Sequence, residues 1–161
     1  MWIVFAHMDA PYTELWEAPG WTRLIPLAGV HPLVLMLLAG MLRPGMRKVT
    51  RHPMLWAVFL WAAAHIPANG DAASVMLFGS LILFALIDQP LADARIRREE
   101  PERWAEDFAA TSAIPFLAAL QGKGRPSLRK IGYARMGVAL VLCIVILYAH
   151  EHVIGFSALP G

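Results

Sequence analysis

The sequence predicts an all-α integral membrane protein, a bundle of about four transmembrane helices with both termini outside and a short surface helix on the cytoplasmic side. Three observations carry this. The chain has 161 residues, of which 58% are hydrophobic and 16% charged, with a mean hydropathy of +0.52; that is too apolar for a water-soluble core of this size. It contains apolar tracts of membrane length, about 20 residues for about 30 Å of hydrocarbon. Its basic residues are confined to alternate connecting segments. The length accommodates one domain, taken as residues 1–161.

The N-terminal "MWIVFAH" has the composition of a helix end but is too short to cross a bilayer. It lacks the charged n-region and small-residue cleavage site of a signal peptide. "DAPYTELWEAPGW" reads as an external loop, with Trp16 and Trp21 suited to the outer interface. The first span is expected over about 24–42. The apolar tract 54–87 is double length and is cut by Pro67, Asn69, Gly70 and Asp71, so it predicts two antiparallel spans, about 54–67 and 71–88, joined by a tight turn. Residues 89–133 form the expected cytoplasmic segment. Glu and Arg interleave there through Asp107, the pattern of a short surface helix, and Trp104, Phe108, Ile114 and Phe116 are available to touch the membrane or the bundle. Gly122, Gly124 and Pro126 mark a loop leading to the last span, about 134–150. The chain shows no internal repeat and no low-complexity tract.

Orientation follows from the basic residues, because positive loops resist translocation. Arg43, Arg47, Lys48 and Arg51 lie between the first two spans, and Arg95, Arg97, Arg98, Arg103, Lys123, Arg125, Arg129, Lys130 and Arg135 between the last two. Only Arg23 of the fourteen falls elsewhere. The expected topology therefore has both termini outside and the two basic segments inside, in a membrane crossed several times. The net charge of +2 follows from this sidedness and calls for no nucleic-acid partner. The lone Cys143 excludes an intrachain disulfide.

Depth then places the histidines. His31 lies about 10 Å inside the outer end of the first span, His65 closes the second, His150 and His152 close the fourth, and His7 ends the N-terminal fragment. Only His52 is at the inner face. The second span is short, so the turn and His65 should be drawn into the bundle or the headgroup layer. An ionisable group there is costly unless paired or functional. Ordinary roles compete at most positions: His7 and His152 as interfacial anchors, Asn69 and Gly70 as a left-handed turn with Asp71 capping the next helix, Arg51 and His52 as an inner-face anchor ahead of Pro53 at the first helical position. His65 is harder to dismiss. Trp61 and Ala64 surround it with apolar surface, and Ala62, Ala63 and Ala64 leave room for a flat, bulky group or for close helix packing.

Neutral imidazole suits haem iron, zinc and copper. Two imidazoles from facing helices would clamp a haem; zinc would want further ligands, for which His150 and His152 are the obvious source. No metalloprotease spacing, Gly-rich phosphate loop or Ser/His/Asp arrangement is present.

The set Arg51-His52-Pro53, Trp56, Trp61, Ala64-His65, Asn69-Gly70-Asp71, Ser74 and Phe78-Gly79 closely resembles the central motif of the NnrU family of bacterial membrane proteins, which shares its domain with zeta-carotene isomerase. The likeness runs from the external loop to the C-terminal "HEHVIGFSALPG". It implies a haem b protein in which His65 is an axial iron ligand, serving as a redox-controlled cis-trans isomerase of a lipophilic polyene or as a factor in denitrification and nitric oxide metabolism. The candidate cofactor-binding residues are His65, from the resemblance, His31 and His150, from their depth, and Trp61, Arg51, His52, Asn69 and Asp71. Two departures stand out. The isomerase has a cysteine three residues before this histidine, where Ala62 stands here. Its other axial histidine lies in an N-terminal helix, and "MWIVFAH" resembles the tail of such a helix, so this chain is expected to lack the N-terminal helices. The second ligand is then sought in His31, His150 and His7, in that order.

Two other readings compete. "RHP" near the inner face also occurs in isoprenylcysteine and phospholipid methyltransferases, where it helps bind S-adenosylmethionine; Arg51, His52 and the region 106–108 would then form a cytosolic pocket. Those enzymes favour a tyrosine where Leu55 or Trp56 stands. A non-enzymatic assembly or regulatory subunit would use the polar groups only to lock helices together. The expected partners are the lipid bilayer, a lipophilic small molecule, and a second copy or partner chain.

Overall fold

A computed structural model describes residues 7, 9–30, 49–123 and 133–155. Among these residues the chain is helical throughout, without strands; the nearest approach to a sheet is one isolated bridge between Glu14 and Asp71. A 3-10 turn, Gly20–Arg23, leads into a π-helical stretch, Ile25–Val30. Then follow α1 (Pro53–Asn69), α2 (Ala72–Glu99), α3 (Pro101–Ala110), the single turn α4 (Leu117–Leu120) and α5 (Tyr133–Ile154). Most of the expected first span, with His31, lies outside the described residues.

The hairpin of α1 and α2 is the centre of the structure, and Ile25–Val30 and the Gly20–Arg23 turn pack against α1. Pro53 opens α1 at the first helical position, where its missing N–H costs nothing. The expected break at Pro67 does not occur. Pro67 sits inside the last turn and the helix runs on to Asn69, whose side-chain amide donates to the His65 carbonyl at 2.6 Å; a proline there removes one hydrogen bond near an end that is already fraying. Gly70, at φ 75°, supplies the left-handed cap. Asp71 then caps α2, its carboxylate accepting from the Ser74 N–H at 2.8 Å.

The external loop docks onto this turn. Leu15 and Trp16 N–H donate to the Gly70 carbonyl at 2.8 and 3.1 Å, and Ala72 N–H donates to Thr13 at 2.9 Å. A Cβ on Gly70 would stand 2.3 Å from the Trp16 carbonyl oxygen, so the residue needs both the positive φ and the missing side chain.

The largest departure from expectation is the length of α2. The third span was expected to end near residue 88, yet the helix passes through Pro90 and continues to Glu99. Long-range contacts to Asp93 hold the extension, and Arg95 pairs with Glu99 one turn on at 3.1 Å. It stops at Glu100 (φ −137°, ψ 66°), as the residue before Pro101 must leave the helical region. Of the described helices, α2 alone is both long and apolar enough to cross a bilayer; its 28 residues rise about 42 Å. Helix α1, at 17 residues, spans about 25 Å. Along α5 the side chains of Val138, Leu140, Val141, Ile144 and Val145 are exposed, while Cys143 is buried.

Candidate functional site

The residues singled out by sequence fall into two clusters at opposite ends of α1, some 20 Å apart along its axis. At the C-terminal end of α1 His65 is held by two neighbours, Trp61 and Phe78. Its Nδ1 lies 2.7 Å from the Trp61 carbonyl, its ring stacks on Phe78 at 5.0 Å with an interplanar angle of 29°, and Trp61 tilts against it at 4.8 Å. Trp61 and Phe78 meet edge to face at 5.4 Å, closing a triangle of rings. A carbonyl can only accept, so Nδ1 carries a proton. That is the arrangement in which a ligating histidine is oriented by a backbone acceptor. The alanines beside it, Ala62 and Ala64, are buried; the small residues let α1 and α2 approach closely, one of the two roles expected of them.

Near this triangle His7 reaches α2. The His7 Nε2 lies 3.0 Å from the Ser74 hydroxyl, on the same face of α2 as Phe78, one turn away. Asp71, Gly70 and the docked loop complete this end. Asn69 is exposed and bonds only back to its own helix. His150 is half-buried in the C-terminal part of α5, and His152 is exposed. Among the described residues no group of three or more His, Cys, Asp or Glu could hold a metal ion, so the zinc arrangement built on His150 and His152 does not form there.

At the inner end Arg51 and His52 are buried and share one carboxylate. Arg51 Nη1 donates to Asp93 Oδ2 at 2.6 Å and His52 Nε2 lies 2.8 Å from Oδ1. The other guanidinium nitrogens reach Thr111, Nε to the hydroxyl at 3.1 Å and Nη2 to the carbonyl at 3.4 Å. The planar cation lies against both Trp104, at 4.8 Å, and Phe108, at 4.9 Å. Thr111 in turn donates its hydroxyl to the Asp107 carbonyl.

Backbone bonds continue the junction. Arg51 N–H donates to Ser112 at 2.7 Å, the Trp56 indole and the Thr50 hydroxyl both donate to the Ala113 carbonyl at 2.7 and 2.9 Å, and Phe116 N–H donates to Val49 at 2.7 Å. The start of α1 is thus bonded to α2, α3 and the stretch after α3. All three Arg51 nitrogens are engaged inside the fold.

Sequence reasoning missed Asp93, Thr111 and the stacking role of Phe78. A signal for Asp93 existed: Ser74, Phe78, Ala85, Gln89 and Asp93 recur at intervals of four and seven, one face of a helix continued past Pro90. Ser74, Phe78, Ala85 and Gln89 are all buried.

These features define an all-helical protein with at least one helix of membrane-crossing length and composition. The sequence model of the NnrU protein family matches residues 1–158, and the chain belongs to that family. No curated protein and no solved structure matches it.

Proposed function

We propose that this NnrU-family chain is a multi-pass inner-membrane protein that binds haem b through His65. The observation that carries the reading is the locked imidazole: Nδ1 is tied to the Trp61 carbonyl and the ring is fixed between Phe78 and Trp61. The residues present therefore suit an iron ligand in donor type and rigidity. Trp61 and Phe78 hold the ring at a set angle. When bound, a haem would supply redox-switchable Lewis-acid chemistry suited to a lipophilic polyene. Four spans, with 24–42 and 134–150 flanking the α1–α2 hairpin, are part of the same reading.

The test is optical. Detergent-purified protein, oxidised and then dithionite-reduced, should show a Soret band that shifts on reduction, and a pyridine haemochrome assay should report haem b near stoichiometry. His65→Ala should lose most of that band while the far-ultraviolet helical signal stays. An unchanged Soret band in the variant removes His65 from the proposal. A second reading, an assembly or regulatory subunit, is favoured by the inner cluster, whose polar groups are spent on each other; protein that stays colourless with added haemin would support it.

A further inference from the structure

The junction around Arg51 presents apolar side chains to the outside. Ile114, Phe116 and Leu120 are all exposed, Leu120 by 84%. They are not the fringe of a loose loop, because the backbone between them is bonded to Val49, Thr50, Arg51 and Trp56. Phe116 is held at φ 62°, and among the described residues it is the one non-glycine with positive φ. A phenylalanine in that conformation is strained, and such strain persists where the surroundings impose it and clusters where a side chain has a task. Its ring is nonetheless 51% exposed, so burial within the chain is not what holds it there.

Two further facts say what covers this surface. From Ala72 to Asp93 helix α2 rises about 33 Å, close to the hydrocarbon thickness of about 30 Å, so the junction at Asp93 lies at the level of the inner headgroups if α2 crosses the membrane. Residues 111–130 include Lys123, Arg125, Arg129 and Lys130 and no acidic residue, a charge pattern complementary to anionic lipid. We propose that the stretch 114–123 is a lipid-facing wedge. Ile114, Phe116 and Leu120 enter the inner leaflet at the boundary between headgroups and acyl chains, and Lys123 at its end meets anionic phospholipid headgroups. The inference rests on the membrane-spanning reading of α2.

The test separates the two. In a Cys143→Ser background, single cysteines replace Leu120, Ile114 or, as a reference in the middle of α2, the exposed Leu83. Each is labelled with nitrobenzoxadiazole after reconstitution into phosphatidylcholine vesicles, with or without phosphatidylglycerol, carrying a nitroxide at a shallow or a deep acyl position. The wedge predicts blue-shifted emission at 114 and 120, quenched more strongly by the shallow nitroxide and further increased by phosphatidylglycerol, with Leu83 quenched by the deep one. Water-like emission at 114 and 120 beside a lipid-quenched Leu83 overturns the wedge alone. Blue-shifted labels that no nitroxide quenches mean that protein covers the surface, which also overturns it. A water-like Leu83 overturns the spanning reading and the wedge with it. Quenching indifferent to phosphatidylglycerol overturns the assignment of Lys123 to anionic headgroups.

Discussion

Gly70 shows how one residue can join three segments. It ends α1 in a left-handed conformation, starts the turn into α2, and offers its carbonyl to the N–H groups of Leu15 and Trp16. Gly70→Ala meets two penalties at once, a positive φ and a Cβ placed 2.3 Å from a backbone oxygen that cannot swing away. The strained conformation alone costs about 1–3 kcal/mol. The expected outcome is a lower unfolding midpoint in detergent together with faster proteolysis of the loop around Thr13, because the clash is relieved by undocking that loop. A variant as stable and as protected as the parent would mean that the loop does not rest on the turn. Asn69 offers an internal comparison: it is exposed and bonds only to its own helix, so Asn69→Ala should shift stability by under about 1 kcal/mol, the usual worth of one net hydrogen bond.

At the scale of elements, the reach of α2 depends on a single carboxylate. Asp93 answers both Arg51 and His52, and its removal leaves a buried guanidinium without its counter-charge. Breaking a pair of this kind costs about 3 kcal/mol, the low end of the range for buried pairs because Asp93 keeps some contact with solvent. Asp93→Ala should destabilise the junction and raise amide exchange over 94–116 while leaving the α1–α2 turn protected; uniform protection across 94–116 would contradict the junction. The same contacts explain what could be read in advance. The start of α1 at Pro53, the turn at Asn69 to Asp71, the Asp71 cap and the surface helix before Asp107 were legible because each rests on local chemistry within a few residues. The continuation of α2 beyond Pro90 was not. Its support comes from side chains 41 and 42 positions earlier in the chain, and a proline next to charged residues looks locally like an end. His65 stands out in the sequence as a candidate, but its stacking partner does not: Phe78 reaches it from the neighbouring helix, and an apolar residue in an apolar helix carries no mark of such a role.

On the scale of the whole molecule, the proposed multi-pass reading, combined with the positive-inside pattern, assigns each end of the hairpin to a side of the membrane. In the Cys143→Ser background, a cysteine at the exposed Tyr12 should react with an impermeant maleimide from the periplasmic side, whereas one at Lys123 should react only after the inner membrane is opened. Labelling of both from outside would refute the topology. The hairpin itself is fastened at its two extremities, by the Gly70 docking at one and by the carboxylate shared between Arg51 and His52 at the other. A helix pinned at both ends behaves as a clamped beam: α1 can neither slide along α2 nor roll on its axis without breaking one of the fastenings. His65 therefore keeps a fixed height and heading, and any gating around it falls to the elements on either side of the hairpin.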